Sequence, residues 1–281
     1  MNKMNFQKTI KEKLAHYKKD VLNVDENGIN GNDGYKKPYA HILPVKFNAL
    51  NIIEYYRDDF FSSKYAGIDY HDCFHHLNSS QAMCINLFYP LIHEQLLNLL
   101  LEILEIPGKP VRTAEFEKLS PVEQTTGRKT NFDFYIELTD GTRIFFEVKY
   151  TEQKFGDADH DHRHIAKFEK TYLPLLRNNP FIREEYKTMD LFLENYQIMR
   201  NLVHIGKTDY VVFLYPEANM EIHKQALLAA EKIVTERGKE HLKLLAMEVT
   251  LEHIVNCLKT NRLMCHFNEF EQKYLHASIT N

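Results

Sequence analysis

Two segments separated by four residues constrain this chain more than any other part of it. Residues 131–138 and 143–150 are dense in aromatic and β-branched side chains, as strands are, and Thr139-Asp140-Gly141 between them is turn chemistry. The loop length fixes the register. A two-residue Asp-Gly loop pairs Asp133 with Val148 and sets Phe134 against Glu147. A three-residue loop, with Gly141 in the left-handed conformation, pairs Phe132 with Val148, Phe134 with Phe146, and Ile136 with Ile144. A one-residue slip exchanges the faces of a strand, so the apolar pattern selects the second register. Asp133 then sits opposite Glu147, and Lys149 follows two residues later on the same face.

Ionisable groups on a covered strand are costly unless they are paired or bind a metal. Two acids and a lysine converging on one edge suggest a divalent-metal site with a cation beside it, which is chemistry suited to phosphodiester hydrolysis. The plainer alternative is a solvated hairpin edge with a Glu147–Lys149 or Asp133–Lys149 pair, an arrangement that contributes little to stability. The flanking phenylalanines argue that the face is covered.

At 281 residues the chain can bury a substantial core, and 26% charged with 44% hydrophobic residues is the composition of an ordinary globular protein. A net charge of -4 argues against a protein that coats nucleic acid nonspecifically, while leaving room for local positive charge. Cys73, Cys84, Cys257 and Cys265 show no CxxC spacing, so neither a zinc ribbon nor a disulfide framework is expected, and free thiols fit a reducing cytoplasm. The lysine-rich N-terminus lacks the apolar core of a signal peptide, and the apolar stretch 96–104 is too short to span a bilayer.

The expected organisation is an N-terminal, mainly helical extension over 1–78, a core over 79–250 and a helical tail over 251–281. Asn78-Ser79-Ser80 offers a helix N-cap, and a helical run follows over 81–105, with Pro90 kinking it or starting a second helix and Pro107-Gly108 ending it. A strand over 110–117 precedes the hairpin. Helices are expected over 164–177, 190–204 and 222–237, the last ending at Gly238, with strands over 210–215 and 242–249 and a final helix from Leu251. The Gly/Asn-rich stretch 27–34 reads as a break. The fold class is α/β, a mixed central sheet flanked by helices.

Asp133, Glu147 and Lys149, with Glu-Val-Lys on the second hairpin strand and a helix before the first strand, resemble the PD-(D/E)XK nuclease superfamily. The stretches 78–81, 130–133 and 147–152 are more specifically similar to a bacterial group classed with restriction endonucleases. The resemblance covers roughly residues 75 to 250, and Phe132 stands where the superfamily motif usually has proline. It implies a restriction-endonuclease-like sheet and a metal-dependent DNA endonuclease leaving 5′-phosphate and 3′-hydroxyl ends. It implies Mg²⁺, with Mn²⁺ substituting, held by Asp133, Glu147, the Val148 carbonyl and waters, while Lys149 orients the attacking water or stabilises transition-state charge. Glu117 or Glu94 would be a further acidic ligand, with Glu117 favoured, and Glu152 a weaker supporting acid. DNA is the implied partner. A homodimer would suit a two-fold symmetric duplex.

Gln197, Arg200, Asn201 and His204 fall on one face of their helix, either to position a substrate backbone or as a solvated surface. Arg128 and Lys129 sit in a basic, hydroxyl-bearing loop leading to Asp133 and are expected, with Gln197 and Arg200, to touch DNA phosphates. The run His160-Asp161-His162-Arg163-His164 invites a metallo-phosphohydrolase reading for small substrates, although it lacks the downstream partners of a metal cage. A third reading is a nucleic-acid-binding or assembly module that keeps the fold without cutting.

Overall fold

A computed structural model describes residues 6–30, 37–106, 109–125 and 127–275. The expected Pro107-Gly108 stop and the later half of the Gly/Asn break lie outside those residues, as does Thr126. Along the chain come α1 (Phe6–Asp20), the short strands β1 (Gly28–Ile29) and β2 (Pro38–Tyr39), α2 (Glu54–Ser62), α3 (Ser80–His93) and α4 (Asn98–Ile103). The sheet strands β3 (Val111–Leu119), β4 (Asn131–Leu138) and β5 (Arg143–Val148) follow. After them come α5 (His162–Lys167), α6 (Leu173–Arg177), α7 (Met189–Glu194), α8 (Tyr196–Leu202) and β6 (Asp209–Tyr215). The chain closes with α9 (Met220–Leu228), α10 (Glu236–Lys239), β7 (Leu242–Ala246), α11 (Met247–Cys257) and α12 (Asn261–Tyr274).

The chain divides into two compact units. The first comprises Met1–Pro107, Pro216–Asn219 and Ala246–Asn281, and the second Gly108–Tyr215 with Met220–Leu245. These borders differ from a 78/250 division because α3 and α4 belong with the helices of both termini.

In the first unit, Ser79 caps α3 by accepting from the Ala82 N–H at 3.3 Å. Pro90 lies inside that helix rather than starting another, and its missing N–H would strand the Asn86 carbonyl. His266 Nε2 contacts that oxygen at 2.7 Å, so a tertiary partner replaces the lost helical bond. The run breaks instead where Gln95 takes φ +58°, separating α3 from α4. Tyr274 joins the same buried network as an acceptor, where Asn86 Nδ2 donates to the Tyr274 hydroxyl at 2.8 Å and to the Asn51 carbonyl at 2.9 Å.

The second unit is a five-stranded mixed sheet in the order β3-β4-β5-β6-β7, antiparallel from β3 to β5 and parallel between β5 and β6. The hairpin adopts the three-residue register. Phe134 pairs with Phe146 and Ile136 with Ile144, Gly141 has φ +87°, and the Gly141 and Leu138 N–H groups close the turn onto Leu138 and Thr142 carbonyls. Arg143 meets Asp209 through two bonds of 2.8 and 2.6 Å, pinning the start of β5 to that of β6. One sheet face carries Tyr135, Phe145, Val211 and Phe213, buried beneath Tyr172, Phe192, Ile198 and Leu202 from the crossover helices.

Several helices differ from the sequence expectation. The run 164–177 is interrupted by a π-helical turn, Phe168–Tyr172, and the run 190–204 divides at Asn195, whose side chain bonds back to the Leu191 carbonyl. Gly238 lies inside α10 rather than ending the preceding helix; a Cβ there would stand 2.4 Å from the Phe181 carbonyl oxygen, so close approach demands glycine. The last strand stops at Ala246, and Val249 is helical. None of the four cysteines forms a disulfide, and no helix among the described residues is long and apolar enough to cross a membrane.

Candidate active site

The end of β5 carries the polar cluster. Glu147 and Lys149 leave the strand on one side because they are two residues apart. Their charged atoms lie 3.0 Å apart, with side chains only 6% and 10% exposed. This is a buried pair, unlike a solvated hairpin edge, and such a pair needs further hydrogen bonds to offset desolvation. They come from α8, which lies over this face: Gln197 Nε2 donates to Glu147 Oε1 at 2.6 Å and Asn201 Nδ2 to Glu147 Oε2 at 3.0 Å. Lys149 Nζ also donates to Gln197 Oε1 at 3.1 Å, and that oxygen accepts the Gly156 N–H at 2.9 Å. Gln197 thus holds Glu147 and Lys149 together and ties both to the loop after β5.

Asp133 lies at the other side of the cluster. The β4–β5 ladder ends at Phe134–Phe146, and the expected Phe132–Val148 pair is not part of it. The Val148 N–H is instead taken by Asp133 Oδ2 at 2.6 Å, and the Lys149 N–H by the Leu214 carbonyl of β6. Burial, then the charges of Glu147 and Glu117, push the Asp133 carboxyl well above the usual carboxylate range, against the opposing pull of the Val148 N–H and Lys149. For Lys149, burial alone would lower the pKa, but Glu147, Glu152 and Asp133 outweigh it and the ammonium is held above its ordinary value. Glu152 also accepts the Tyr150 N–H at 2.6 Å.

Glu117 is placed opposite Asp133 by the pairs on either side, Phe116–Phe134 and Lys118–Phe132. Its φ of +52° is left-handed, a conformation that costs a non-glycine residue about 1–2 kcal/mol. Its carboxylate accepts from Asn131 Nδ2. Glu94 belongs to the first unit, where it ends α3 and accepts from the Tyr56 hydroxyl at 2.9 Å. Of the two acids, Glu117 is the one whose charge acts on Asp133.

Among the described residues, no three His, Cys, Asp or Glu side chains form a ready-made metal cage. The donor set at Asp133 and Glu147 nevertheless suits a hard cation. It is oxygen only, burial and then repulsion among its carboxylates raise Asp133, and Mg²⁺ commonly takes one or two carboxylates while keeping several waters. The histidine run does not gather. His160 faces Asp190 at 3.4 Å, His164 meets Asp161 at 3.0 Å, and Asp161 caps α5 through the His164 N–H.

The helix face of 197, 201 and 204 turns inward. Asn201 and His204 are buried, and His204 Nε2 meets Ser120 Oγ at 2.6 Å, with burial lowering the imidazole to about 3. Arg200 donates from Nε to Thr130 Oγ1 at 3.1 Å. Arg128 is exposed and its carbonyl accepts Lys167 Nζ at 2.5 Å, while Lys129 is half-buried on the same loop. Two groups escaped the sequence reading. Asn201 as a partner of Glu147 was signalled only by its i, i+4 spacing from Gln197. Glu123, a buried acid that binds both the N–H and the hydroxyl of Thr130, had no local signature.

A mixed sheet of this order, with an aspartate on one strand and Glu-x-Lys on the next, defines a restriction-endonuclease-like protein. The family model described as "restriction endonuclease associating with ARP" matches residues 10–275, and the chain belongs to that family. Comparison with curated protein sequences and with solved structures returns no match.

Proposed function

We propose that this protein is a metal-dependent DNA endonuclease acting through Asp133, Glu147 and Lys149. The observation that carries the reading is the buried Glu147–Lys149 pair beside an aspartate whose charge is opposed by two further acids. A stability role alone explains neither the third acid nor the left-handed backbone that carries Glu117.

Asp133 and Glu147, with Glu117 and the Val148 carbonyl as further donors, would hold Mg²⁺ or Mn²⁺. When bound, the cation would neutralise the scissile phosphate and make water a better nucleophile. Lys149 donates hydrogen bonds, so it can orient an attacking water by its lone pair and offset negative charge growing on the phosphate. Gln197 and Asn201 fix Glu147 in one rotamer and keep Lys149 within reach. Arg128, Lys129 and Arg200 would bear on phosphates flanking the cut.

The test is incubation of supercoiled plasmid, linear duplex and RNA with the protein in Mg²⁺, Mn²⁺ or EDTA, followed by analysis of product ends. Metal-dependent nicking of circular DNA to 5′-phosphate and 3′-hydroxyl ends is the expected result. Binding of DNA without cutting in any metal would transfer the reading to a non-catalytic module.

A further inference from the structure

Beside the acidic cluster, the second unit contains a cavity of about 430 Å³ lined by the loop before β4, by α5 and the π-helical turn after it, and by α8. Its wall carries Arg128, Arg163, Lys167, Lys170 and Arg200. No aspartate or glutamate is among its described lining residues, in a chain whose net charge is -4. Five cations around one concavity repel one another, and burial followed by the charge of Arg200 lowers Lys167 to about 8, with Arg163 and Arg128 adding to the effect and Glu123 opposing it.

Two of these cations are held by neutral groups rather than by carboxylates. Lys167 donates to the Arg128 carbonyl, Arg200 to the Thr130 hydroxyl, and the Arg200 guanidinium stacks 5.2 Å from the Tyr196 ring centre. Glu123, whose charge acts on Lys167, is occupied by the N–H and hydroxyl of Thr130, and Asp161 outside the wall meets His164 at 3.0 Å and caps α5. The positive charge is therefore pre-positioned and uncompensated from within the wall. Backbone phosphodiesters carry one charge each and are met by cations spread along a duplex. Cations focused into one concavity match a group with two or more negative charges. The volume is within the range of small-molecule sites and exceeds what a bare anion needs, and Tyr196 offers a ring at the wall.

We infer that this cavity binds the terminal phosphate of a nucleotide, a phosphomonoester carried either by a strand end or by a free nucleotide. Gln197 and Arg200 share α8, so the helix that orders Glu147 and Lys149 also presents this pocket, one helical turn away. The inference does not depend on cutting, and its test is read in EDTA.

The experiment is fluorescence polarisation with one single-stranded oligonucleotide prepared with a 5′-phosphate, a 3′-phosphate or only hydroxyl ends, at fixed salt, and with AMP and ADP as competitors. A phosphate-ended oligonucleotide binding at least tenfold more tightly than the hydroxyl-ended one assigns the strand end. Competition by AMP or ADP without end preference assigns the free nucleotide. In either case Arg163→Ala/Lys170→Ala, two solvent-facing substitutions that circular dichroism can check for folding, should abolish the effect. Equal affinity for all three ends together with no competition overturns the inference, as does an end preference or competition that the folded double variant retains. A protein that never cuts but shows the preference would sink the nuclease reading and leave this one standing.

Discussion

Replacing Gln197 by alanine separates a residue that holds the Glu147–Lys149 pair from one that holds DNA. The side chain makes three hydrogen bonds: to Glu147 at 2.6 Å, from Lys149 at 3.1 Å and from the Gly156 N–H at 2.9 Å. Bonds to charged groups contribute about 1.5–3 kcal/mol each and neutral ones about 0.5–1.5. Glu147 and Lys149 keep each other, and Glu147 keeps Asn201, so the loss is well below the sum. A destabilisation of about 2–3 kcal/mol is expected for a site where buried polar groups are left underbonded. The rate should suffer more, because a catalytic group displaced by about 1 Å can cost on the order of 100-fold. The assay is single-turnover cleavage of labelled duplex with saturating metal, beside DNA affinity measured in EDTA. Gln197→Ala should cut about 100-fold more slowly with nearly unchanged affinity, and Gln197→Met should recover part of the stability without the rate. Weakened affinity with a wild-type single-turnover rate would place Gln197 on the DNA and refute the reasoning.

Glu117→Asn should relieve one carboxylate of the acidic cluster while suiting the left-handed backbone, so metal-free thermal stability rises by up to about 1 kcal/mol as cleavage falls. A lower melting temperature in EDTA would show that the Glu117–Asn131 contact outweighs both effects. Lys273, buried in the first unit and donating to Asn51, is lowered by burial to about 7 from 10.5. Between those values the unfolded chain holds a proton that the folded one has released, so its contribution to stability rises with pH, by at most about 1.4 kcal/mol per unit. Denaturant midpoints from pH 7 to 10 check this, and Lys273→Met should flatten the slope. Gly141→Ala places a Cβ at φ +87° and should cost about 1–2 kcal/mol with cleavage intact, read by denaturation and activity together.

The hairpin and its triad were legible because local chemistry determines them. Thr-Asp-Gly sets the loop, the phenylalanines set the register, and the side-chain period of two then puts Asp133, Glu147 and Lys149 together. What covers the triad was not legible. Residues 197, 201 and 204 recur at i, i+4 and i+7, the spacing of a buried stripe, but as polar residues they read as a surface. Only the tertiary fold shows that the stripe is polar because it meets Glu147, Lys149 and Ser120. Pro90 was ambiguous for the same reason, since its partner is supplied by His266, far away in sequence. The helix expected over 222–237 breaks after Ile233, where Val234 turns extended to bridge Ile182 and the Thr235 N–H donates to the Phe181 carbonyl, contacts with no local trace. The family resemblance implies Glu117 as an acidic ligand, yet its left-handed backbone has no sequence signal, since glutamate is not a residue that favours it.

The most direct test of the central claim is metal-dependent cleavage by the wild type beside Asp133→Asn and Lys149→Met, each shown by circular dichroism to be folded. The account predicts cutting in Mg²⁺ or Mn²⁺ by the wild type alone, with a loss of at least about 1,000-fold in each variant. Cutting that survives in either folded variant would contradict the assignment of chemistry to this triad.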